Sequence, residues 1–181
     1  TVREIARETD RHIVSYAVGQ EADYQAVHVT PTGTGTSFDV SHEGRILGHV
    51  TLGLPGLHNV SDALAAIVTG TLCGLTVEEA AAFHGAKRRF ETKAHVKDVW
   101  IVDDYAHHPT EIAATLAAAR QTSAKRIICA FQPHRYSRTK LLAKEFGTAF
   151  READVLVLTG IYAAGESPLP GIDGTTILAA V

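Results

Sequence analysis

The sequence contains no methionine, only two cysteines and no long apolar run. Cys73 and Cys129 lie far apart in apolar stretches, which argues against a disulfide framework and against a CxxC metal knuckle. We expect both thiols to be reduced and buried. No apolar run approaches the roughly 20 residues that span a bilayer, and the first residues do not resemble a signal peptide. The sequence therefore predicts no membrane insertion.

A basic excess is also missing. The 17 Lys and Arg residues stand against 20 Asp and Glu residues, which gives a formal net charge of -3. This balance provides no electrostatic attraction to nucleic acid or an anionic membrane, so we expect a small-molecule partner. The expected reduced thiols favour a cytoplasmic protein. The 181 residues, of which 45% are hydrophobic, can bury a core. Because the chain lacks an initiating methionine and ends in a helix-like stretch, we interpret it as part of a longer protein.

The first half of the chain changes pattern once. Residues 12–54 alternate apolar and polar side chains in short pieces separated by turn sequences, which predicts antiparallel strands. Apolar residues then recur at helical spacing over 60–73, and a second helix is predicted from Thr76 to Gly85. Asn59 is a candidate N-cap of the first helix, with Asp62 near its positive end, and this structural interpretation alone would account for both residues.

The second half alternates strands and helices. A new segment begins near KRRFETK, followed by strands predicted at 99–103, 126–131 and 154–159 and by helices at 109–121 and 139–152. A βαβαβ order predicts a parallel sheet with right-handed crossovers. The fold class is therefore α/β, with a strand and helix segment followed by a Rossmann-like parallel sheet.

Unusual polar residues follow each of the three predicted parallel strands. They are DDYAHH at 103–108, QPHRYSR at 132–138 and GIYAAGE at 160–166. The carboxyl ends of parallel strands share one edge of a sheet, and ligands bind there against loops and helix N-termini. We therefore expect these three segments to meet in a ligand-binding site.

Each polar segment also has a purely structural interpretation. His107 and His108 precede Pro109 and are candidates for capping a helix that begins with proline. A metal site is disfavoured because adjacent histidines usually point apart and no H-x3-H spacing occurs, so no metal ligand is predicted. Arg135 and Arg138 either face solvent or grip an anion, and the residues alone leave both possibilities open.

Glycine-rich sequence gives no further cofactor signal. The TGTGTS stretch at 32–37 is followed by neither a lysine nor a helix, so it predicts a connection between strands rather than a phosphate-binding loop. No G-x-G-x-x-G follows a strand, which disfavours a nicotinamide dehydrogenase.

Five motifs in order carry a resemblance to a known family. GLHNVSDALAAI, GAKRRFE, DDYAHHPTEI, FQPHRYSRT and IYAAGE resemble the Mur ligases, which have a UDP-sugar domain, a central ATPase domain and a C-terminal Rossmann-like domain. By this resemblance, residues 1–86 are the last part of the central ATP-binding domain. Residues 87–181 are a truncated C-terminal domain.

The resemblance is strongest to members that join L-alanine to UDP-N-acetylmuramate in peptidoglycan synthesis. It implies ATP-dependent ligation through an acyl phosphate, with Mg²⁺ ligands and a lysine-bearing Walker-type loop in another part of the chain. The 181 residues alone are therefore expected to be inactive. Two alternatives are a murein-tripeptide recycling ligase of the same family and a non-catalytic Rossmann-like binding module.

The resemblance also assigns nucleotide-binding roles. It implies that Asn59 contacts adenine, that Arg89 reaches the nucleotide phosphates or the adenosine, and that Asp104 binds the ribose hydroxyls. Asp62 departs from the family, which usually has asparagine there. A carboxylate accepts from the adenine amine but donates nothing to a ring nitrogen.

A second set of roles concerns the amino acid. Arg135 and Arg138 are expected to hold the alanine carboxylate, and Arg89 and His107 are the expected catalytic residues. The residues that line the amino-acid end are, by resemblance, Tyr105, His107, His134, Arg135 and Arg138.

Overall fold

The computed structural model describes residues 8–82 and 88–181. Within these residues the chain divides into two compact units, 8–53 with 57–82 and 54–56 with 88–181. No helix in these ranges is long and apolar enough to cross a membrane. The predicted end of the second helix at Gly85 lies outside the described residues.

A four-stranded sheet in the order β1-β2-β3-β4 forms the base of the first unit. Strands β2, β3 and β4 are antiparallel, as predicted, and the TGTGTS stretch connects β2 to β3. The short β1 runs parallel to β2, which corrects the prediction that all these strands are antiparallel. Ser15 donates from its N–H and hydroxyl to Asp23, and this contact closes a loop in place of a hairpin turn. The strands are β1 (Tyr16–Val18), β2 (Tyr24–Pro31), β3 (Thr36–His42) and β4 (Arg45–Leu52).

Helix α1 (Leu57–Leu72) packs on this sheet. Leu64 and Ile67 lie one turn apart on its buried face and join the core that contains Phe38. The helix begins earlier than predicted, so Asn59 lies inside its first turn and is not the N-cap. The helix can start at residue 57 because Gly56, with φ 98°, turns the chain immediately before it. Asp62, unlike Asn59, lies beyond the first turn, so it is not at the positive end of the helix as expected.

Helix α2 (Val77–Ala81) begins as predicted. Thr76 caps it, its side chain accepting from the Glu79 N–H while the Glu79 carboxylate accepts from the Thr76 N–H. This reciprocal arrangement is a capping box and satisfies two backbone donors that the helix cannot use.

The second unit contains two small sheets. The antiparallel pair β5 (Glu91–Val96) and β6 (Val99–Asp103) forms a hairpin, and β7 (Ile128–Phe131) runs parallel to β8 (Val155–Leu158). The expected three-stranded parallel sheet is therefore wrong in one respect, because β6 pairs with β5. The tight turn at Lys97, with φ 53°, makes the local hairpin partner available to β6. The sequence ETKAHV is rich in charged and polar residues, so its pattern alone does not predict a strand.

Four helices complete the second unit. Helix α3 (Pro109–Arg120) matches the prediction for 109–121. The predicted helix at 139–152 is instead α4 (Tyr136–Leu141) followed by α5 (Ala143–Ala149), because Leu142 leaves helical geometry at φ -109° and ψ 17°. Helix α6 is Thr175–Leu178. The buried core joins α3, α5 and α6 to β7 through Ile112, Leu116, Phe131, Phe146, Phe150 and Ile177.

Both cysteines are free thiols. Cys129 is half-buried, and its burial raises the pKa of the thiol to about 11. Cys73 is exposed just beyond the end of α1, which corrects the expectation of burial. The α/β class itself is confirmed, with parallel and antiparallel sheets and helices packed on them.

Candidate functional site

A row of four rings joins the segments that follow β6, β7 and β8. Ring centroids are 5.3 Å apart for Tyr105 and His107, 6.0 Å for His107 and His134, and 5.5 Å for His134 and Tyr162. The three polar segments come together, as predicted, although β6 pairs with β5. We take this region as the candidate site.

The backbone beyond β7 and β8 holds two of these rings. His134 and Tyr162 form a parallel bridge in which Arg135 N donates to Tyr162 O at 2.8 Å and Tyr162 N donates to Pro133 O at 2.8 Å. Arg135 has φ 74°, a left-handed conformation that is uncommon outside glycine. The bridge fixes this conformation and turns the chain from β7 into α4.

Hydrogen bonding assigns the proton of neutral His107. Its Nδ1 lies 3.0 Å from the carbonyl oxygen of Tyr105, which can only accept. Nδ1 therefore carries the hydrogen and donates. The free Nε2 of the neutral ring is then an acceptor.

His134 has the opposite arrangement. Nη1 of Arg138 lies 3.1 Å from His134 Nδ1 and 3.3 Å from the His134 carbonyl oxygen. A guanidinium can only donate, so Nδ1 accepts and Nε2 carries the hydrogen. Burial and the charges of Arg138 and Arg135 lower the pKa of His134, which favours this neutral form. Two neighbouring imidazoles thus offer one acceptor and one donor nitrogen.

The two arginines have different partners. Arg138 contacts His134, whereas Nη1 of Arg135 lies 3.9 Å from a carboxylate oxygen of Glu166. Glu166 also accepts from the hydroxyl and N–H of Ser137, and these bonds lower the pKa of Glu166. The side chain of Arg135 is 49% exposed, so it can still receive an anion from solvent.

His108 has the structural role that its position before Pro109 suggested. It is the N-cap of α3, where its Nδ1 accepts from Thr110 N at 3.4 Å. Glu111 completes the cap, because one oxygen of its carboxylate accepts from His107 N at 3.0 Å and from His108 N at 3.1 Å. Of the two adjacent histidines, only His107 has its ring in the row of four.

The Asp104 carboxylate links the hairpin to the loop after β6. One oxygen accepts from Phe90 N at 2.8 Å and the other from Ala106 N at 2.7 Å. An ionised carboxylate has about four acceptor positions, so both oxygens keep capacity for a further donor such as a ribose hydroxyl. Asp104 is therefore rigidly held and chemically suited to the predicted contact.

Two adjacent arginines lie near this loop. Arg88 places its guanidinium 4.8 Å from the centroid of the Tyr105 ring, and its Nε lies 3.3 Å from an oxygen of Asp103. Arg89 is exposed, and its charge helps to lower the pKa of Glu111. The charge of the predicted residue Arg89 thus acts on Glu111 of α3, while Arg88 orients Tyr105 by a cation–π contact.

The predicted adenine-binding residues belong to the first unit. Asn59 is buried, with 5% of its surface exposed, whereas Asp62 is exposed. The other predicted site residues belong to the second unit. Across residues 8–82 and 88–181, no group of three or more His, Cys, Asp or Glu side chains is placed to hold a metal ion.

Four residues near the site were not among the individually predicted residues. Glu111 and Glu166 anchor the loops, Tyr162 ends the row of rings, and Arg88 stacks on Tyr105. Tyr162 and Glu166 belong to the GIYAAGE segment that was predicted to reach the site. Glu111 also has a local signal, since a glutamate two residues after the proline of a helix start is typical of a capping box.

Comparison with known proteins decides the family. The profile described as Mur ligase, glutamate ligase domain, matches residues 88–181. A UDP-N-acetylmuramate--L-alanine ligase from Symbiobacterium thermophilum is 47% identical over 171 residues, which cover 92% of this chain and 36% of that protein. The chain belongs to the Mur ligase family.

Solved Mur ligase structures agree with this assignment. UDP-N-acetylmuramate-alanine ligase MurC from Thermotoga maritima matches with a TM-score of 0.73 and 29% identity, over 92% of this chain and 36% of that one. A murein peptide ligase from Psychrobacter arcticus matches with a TM-score of 0.52 and 32% identity, over 78% of this chain and 31% of that one. This Mur ligase chain spans about 36% to 40% of the length of the curated relatives that it matches.

Proposed function

We propose that this chain is part of an enzyme that ligates L-alanine to UDP-N-acetylmuramate with ATP, through an acyl phosphate. The observation that carries the proposal is the pairing of two neutral imidazoles of opposite tautomer with the flanking arginines Arg135 and Arg138. Such a set suits an amino acid, whose carboxylate requires cations and whose amine must give up a proton as it forms the amide bond. Relatives named UDP-N-acetylmuramate--L-alanine ligase, 47% identical to this chain, support the same reaction.

The nucleotide end is proposed from the residues suited to it. Asp104 would accept from the ribose hydroxyls, Arg89 would stabilise phosphate charge, and Asn59 and Asp62 would face adenine. ATP supplies the γ-phosphoryl group that activates the muramyl carboxylate, so the protein's main task there is positioning and charge stabilisation. Any Mg²⁺ ion would be held by residues beyond those described.

The amino-acid end is proposed to be the row of rings and the arginines. Arg135 and Arg138 would hold the alanine carboxylate, since charge-assisted contacts to a carboxylate are strong and directional. Tyr105 and His134 would line the pocket, with His134 donating from Nε2. The acceptor Nε2 of His107 would take a proton from the alanine amine.

We further propose how the chain is organised. Residues 1–86 would be the last part of the central ATP-binding domain, and 87–181 the first part of the C-terminal domain. Because ATP and a UDP-linked sugar are cytoplasmic metabolites, the reaction would take place in the cytoplasm.

The direct test uses a full-length ligase that contains this sequence. It should release phosphate only when UDP-N-acetylmuramate, L-alanine and ATP are all present, and mass spectrometry should detect the alanyl product. If a murein tripeptide replaces alanine as the better substrate, the recycling ligase is the correct alternative. Ligand binding without turnover would instead support the non-catalytic module.

A further inference from the structure

We propose that Glu111 is a positioning residue for the ligation step, acting through His107, whose protonated form its charge stabilises. The inference rests on the function proposed above. Glu111 would then have a second role besides capping helix α3.

One carboxylate oxygen of Glu111 contacts several groups of the loop between β6 and α3. Oε2 of Glu111 accepts from the N–H groups of His107 and His108 and lies 3.5 Å from His107 Nδ1. The Nδ1–H of His107 therefore has two acceptors nearby, the Tyr105 carbonyl oxygen and Glu111. Both favour the tautomer whose Nε2 is free, and only the carboxylate adds a negative charge.

Capping alone does not require that charge. A glutamine at the third helical position satisfies the same backbone donor as a glutamate. The chain contains an internal comparison, because Glu79 caps α2 by the same reciprocal arrangement with Thr76. Its capping partner is a threonine rather than a histidine. Each glutamate thus accepts from the N–H of the N-cap residue of its own helix. Glu111 in addition accepts from the N–H of the site residue His107.

The surrounding charges leave Glu111 ionised. Burial alone would raise its pKa, but the N–H groups of His107 and His108 and the charge of Arg89 lower it overall. On its other side His107 faces Tyr105 and the His134 ring, whose Nδ1 is already occupied by Arg138. Glu111 is the anionic group that contacts the ring of His107 in the described part of the chain.

The chemical step shows where this charge matters. The alanine amine attacks the acyl carbon, the C–N bond forms, and the bond from that carbon to the phosphate oxygen breaks. The nitrogen loses one proton to His107 Nε2, and the same proton can pass to the departing phosphate. The positive imidazolium exists only during this transfer, so an ionised Glu111 stabilises it when it forms.

The test is Glu111→Gln in a full-length ligase, with Glu79→Gln as the matched control. Glutamine keeps the cap and removes the charge. We expect the acidic limb of the plot of kcat/KM against pH to move to lower pH by about half a pH unit. This is the shift that the loss of a partly exposed ion pair produces. The plateau kcat should fall several-fold because the base is weaker, while the KM for alanine stays close to wild type. Glu79→Gln should leave the profile unchanged, and Glu111→Asp should restore part of the shift.

A second measurement separates this inference from the proposed function. The Nδ1–H proton of His107 should exchange with solvent faster in Glu111→Gln than in the wild-type chain, whether or not ligation occurs, because one of its two nearby acceptors has lost its charge. If the wild-type ligase forms no alanyl product, the proposed function is wrong. If product forms but the pH profile and the Nδ1–H exchange of Glu111→Gln superimpose on wild type, Glu111 only caps the helix and the inference is overturned.

Discussion

Arg138 donates to Nδ1 of His134 across 3.1 Å, so one arginine of the proposed carboxylate pair also fixes the tautomer of a site histidine. The other, Arg135, lies beside Glu166 at 3.9 Å. The two arginines are therefore not equivalent. Loss of Arg138 should weaken binding of the alanine carboxylate and also release the His134 ring from its fixed tautomer. Loss of Arg135 should weaken carboxylate binding alone.

Replacing either arginine by alanine should raise the KM for alanine far more than the KM for ATP. A charge-assisted contact to a carboxylate contributes roughly 1.5 to 3 kcal/mol, which corresponds to about a 10- to 150-fold change. Arg135→Lys should rescue only part of the loss, because a point charge cannot reproduce the two-pronged geometry. Steady-state kinetics of a full-length ligase with each substrate varied in turn would measure both constants.

The matched control for these variants is Arg120→Ala. Arg120 forms an ion pair with Asp154 at 2.7 Å near the end of α3, away from the row of rings in sequence and contacts. It should affect stability and leave both Michaelis constants unchanged. Equal damage to ATP and alanine binding in Arg135→Ala and Arg138→Ala would contradict the carboxylate role.

The opposite tautomers can be observed in the 181-residue chain itself. Long-range ¹H–¹⁵N correlation spectra should show the proton on Nδ1 of His107 and on Nε2 of His134 at neutral pH. Because the pKa of His134 is lowered, its neutral form and the Arg138 contact persist as pH falls through the ordinary histidine range, and are lost only below it. The same tautomer in both rings would contradict the assigned hydrogen bonds.

Asp62→Asn tests nucleotide recognition in the first unit. If the exposed Asp62 side chain faces adenine, asparagine adds a donor and should tighten ATP by about 1 kcal/mol with no change for alanine. Isothermal titration of a full-length ligase with each ligand separates the effects. Unchanged ATP affinity would leave Asp62 a surface residue of α1.

Local patterns in the sequence predicted most of the helices and strands, because helix starts, caps and apolar spacing depend only on neighbouring residues. The helix at 109–121 followed from Pro109 and its apolar spacing, and the Thr76 cap from its own residues. The antiparallel pairing of β6 was missed because its partner is a polar strand, ETKAHV, whose stability comes from pairing rather than from a buried face.

For the site residues, the sequence predicted which side chains meet but not how they are protonated. Motifs placed Tyr105, His107 and His134 together, and the rings do meet. Their protonation states were not predictable, because each depends on whether a carbonyl or a guanidinium lies beside Nδ1. Asn59 was misjudged as an N-cap because helix α1 starts before it.

The 181-residue chain alone should neither hydrolyse ATP nor form the alanyl product. Its sequence has no G-x-x-x-x-G-K-[ST] loop, whose backbone and lysine hold the phosphates in such ligases. A phosphate-release assay with all substrates should match the rate without protein. Turnover that depends on both UDP-N-acetylmuramate and alanine would show that the described residues supply more of the phosphate site than we propose.

Asp104 combines a structural contact with a proposed ligand contact, and two substitutions separate them. Asp104→Ala leaves the N–H groups of Phe90 and Ala106 without their acceptor, so the 181-residue chain should lose about 1 to 3 kcal/mol of stability for each N–H that water cannot reach. Asp104→Asn keeps one acceptor oxygen and should cost less. In a full-length ligase, both substitutions should weaken ATP binding and spare alanine binding, because ATP, through its ribose, is the ligand proposed to donate to this carboxylate. Denaturant unfolding measures the first effect and ligand titration the second, and ATP affinity equal to wild type in Asp104→Asn would restrict Asp104 to holding the loop.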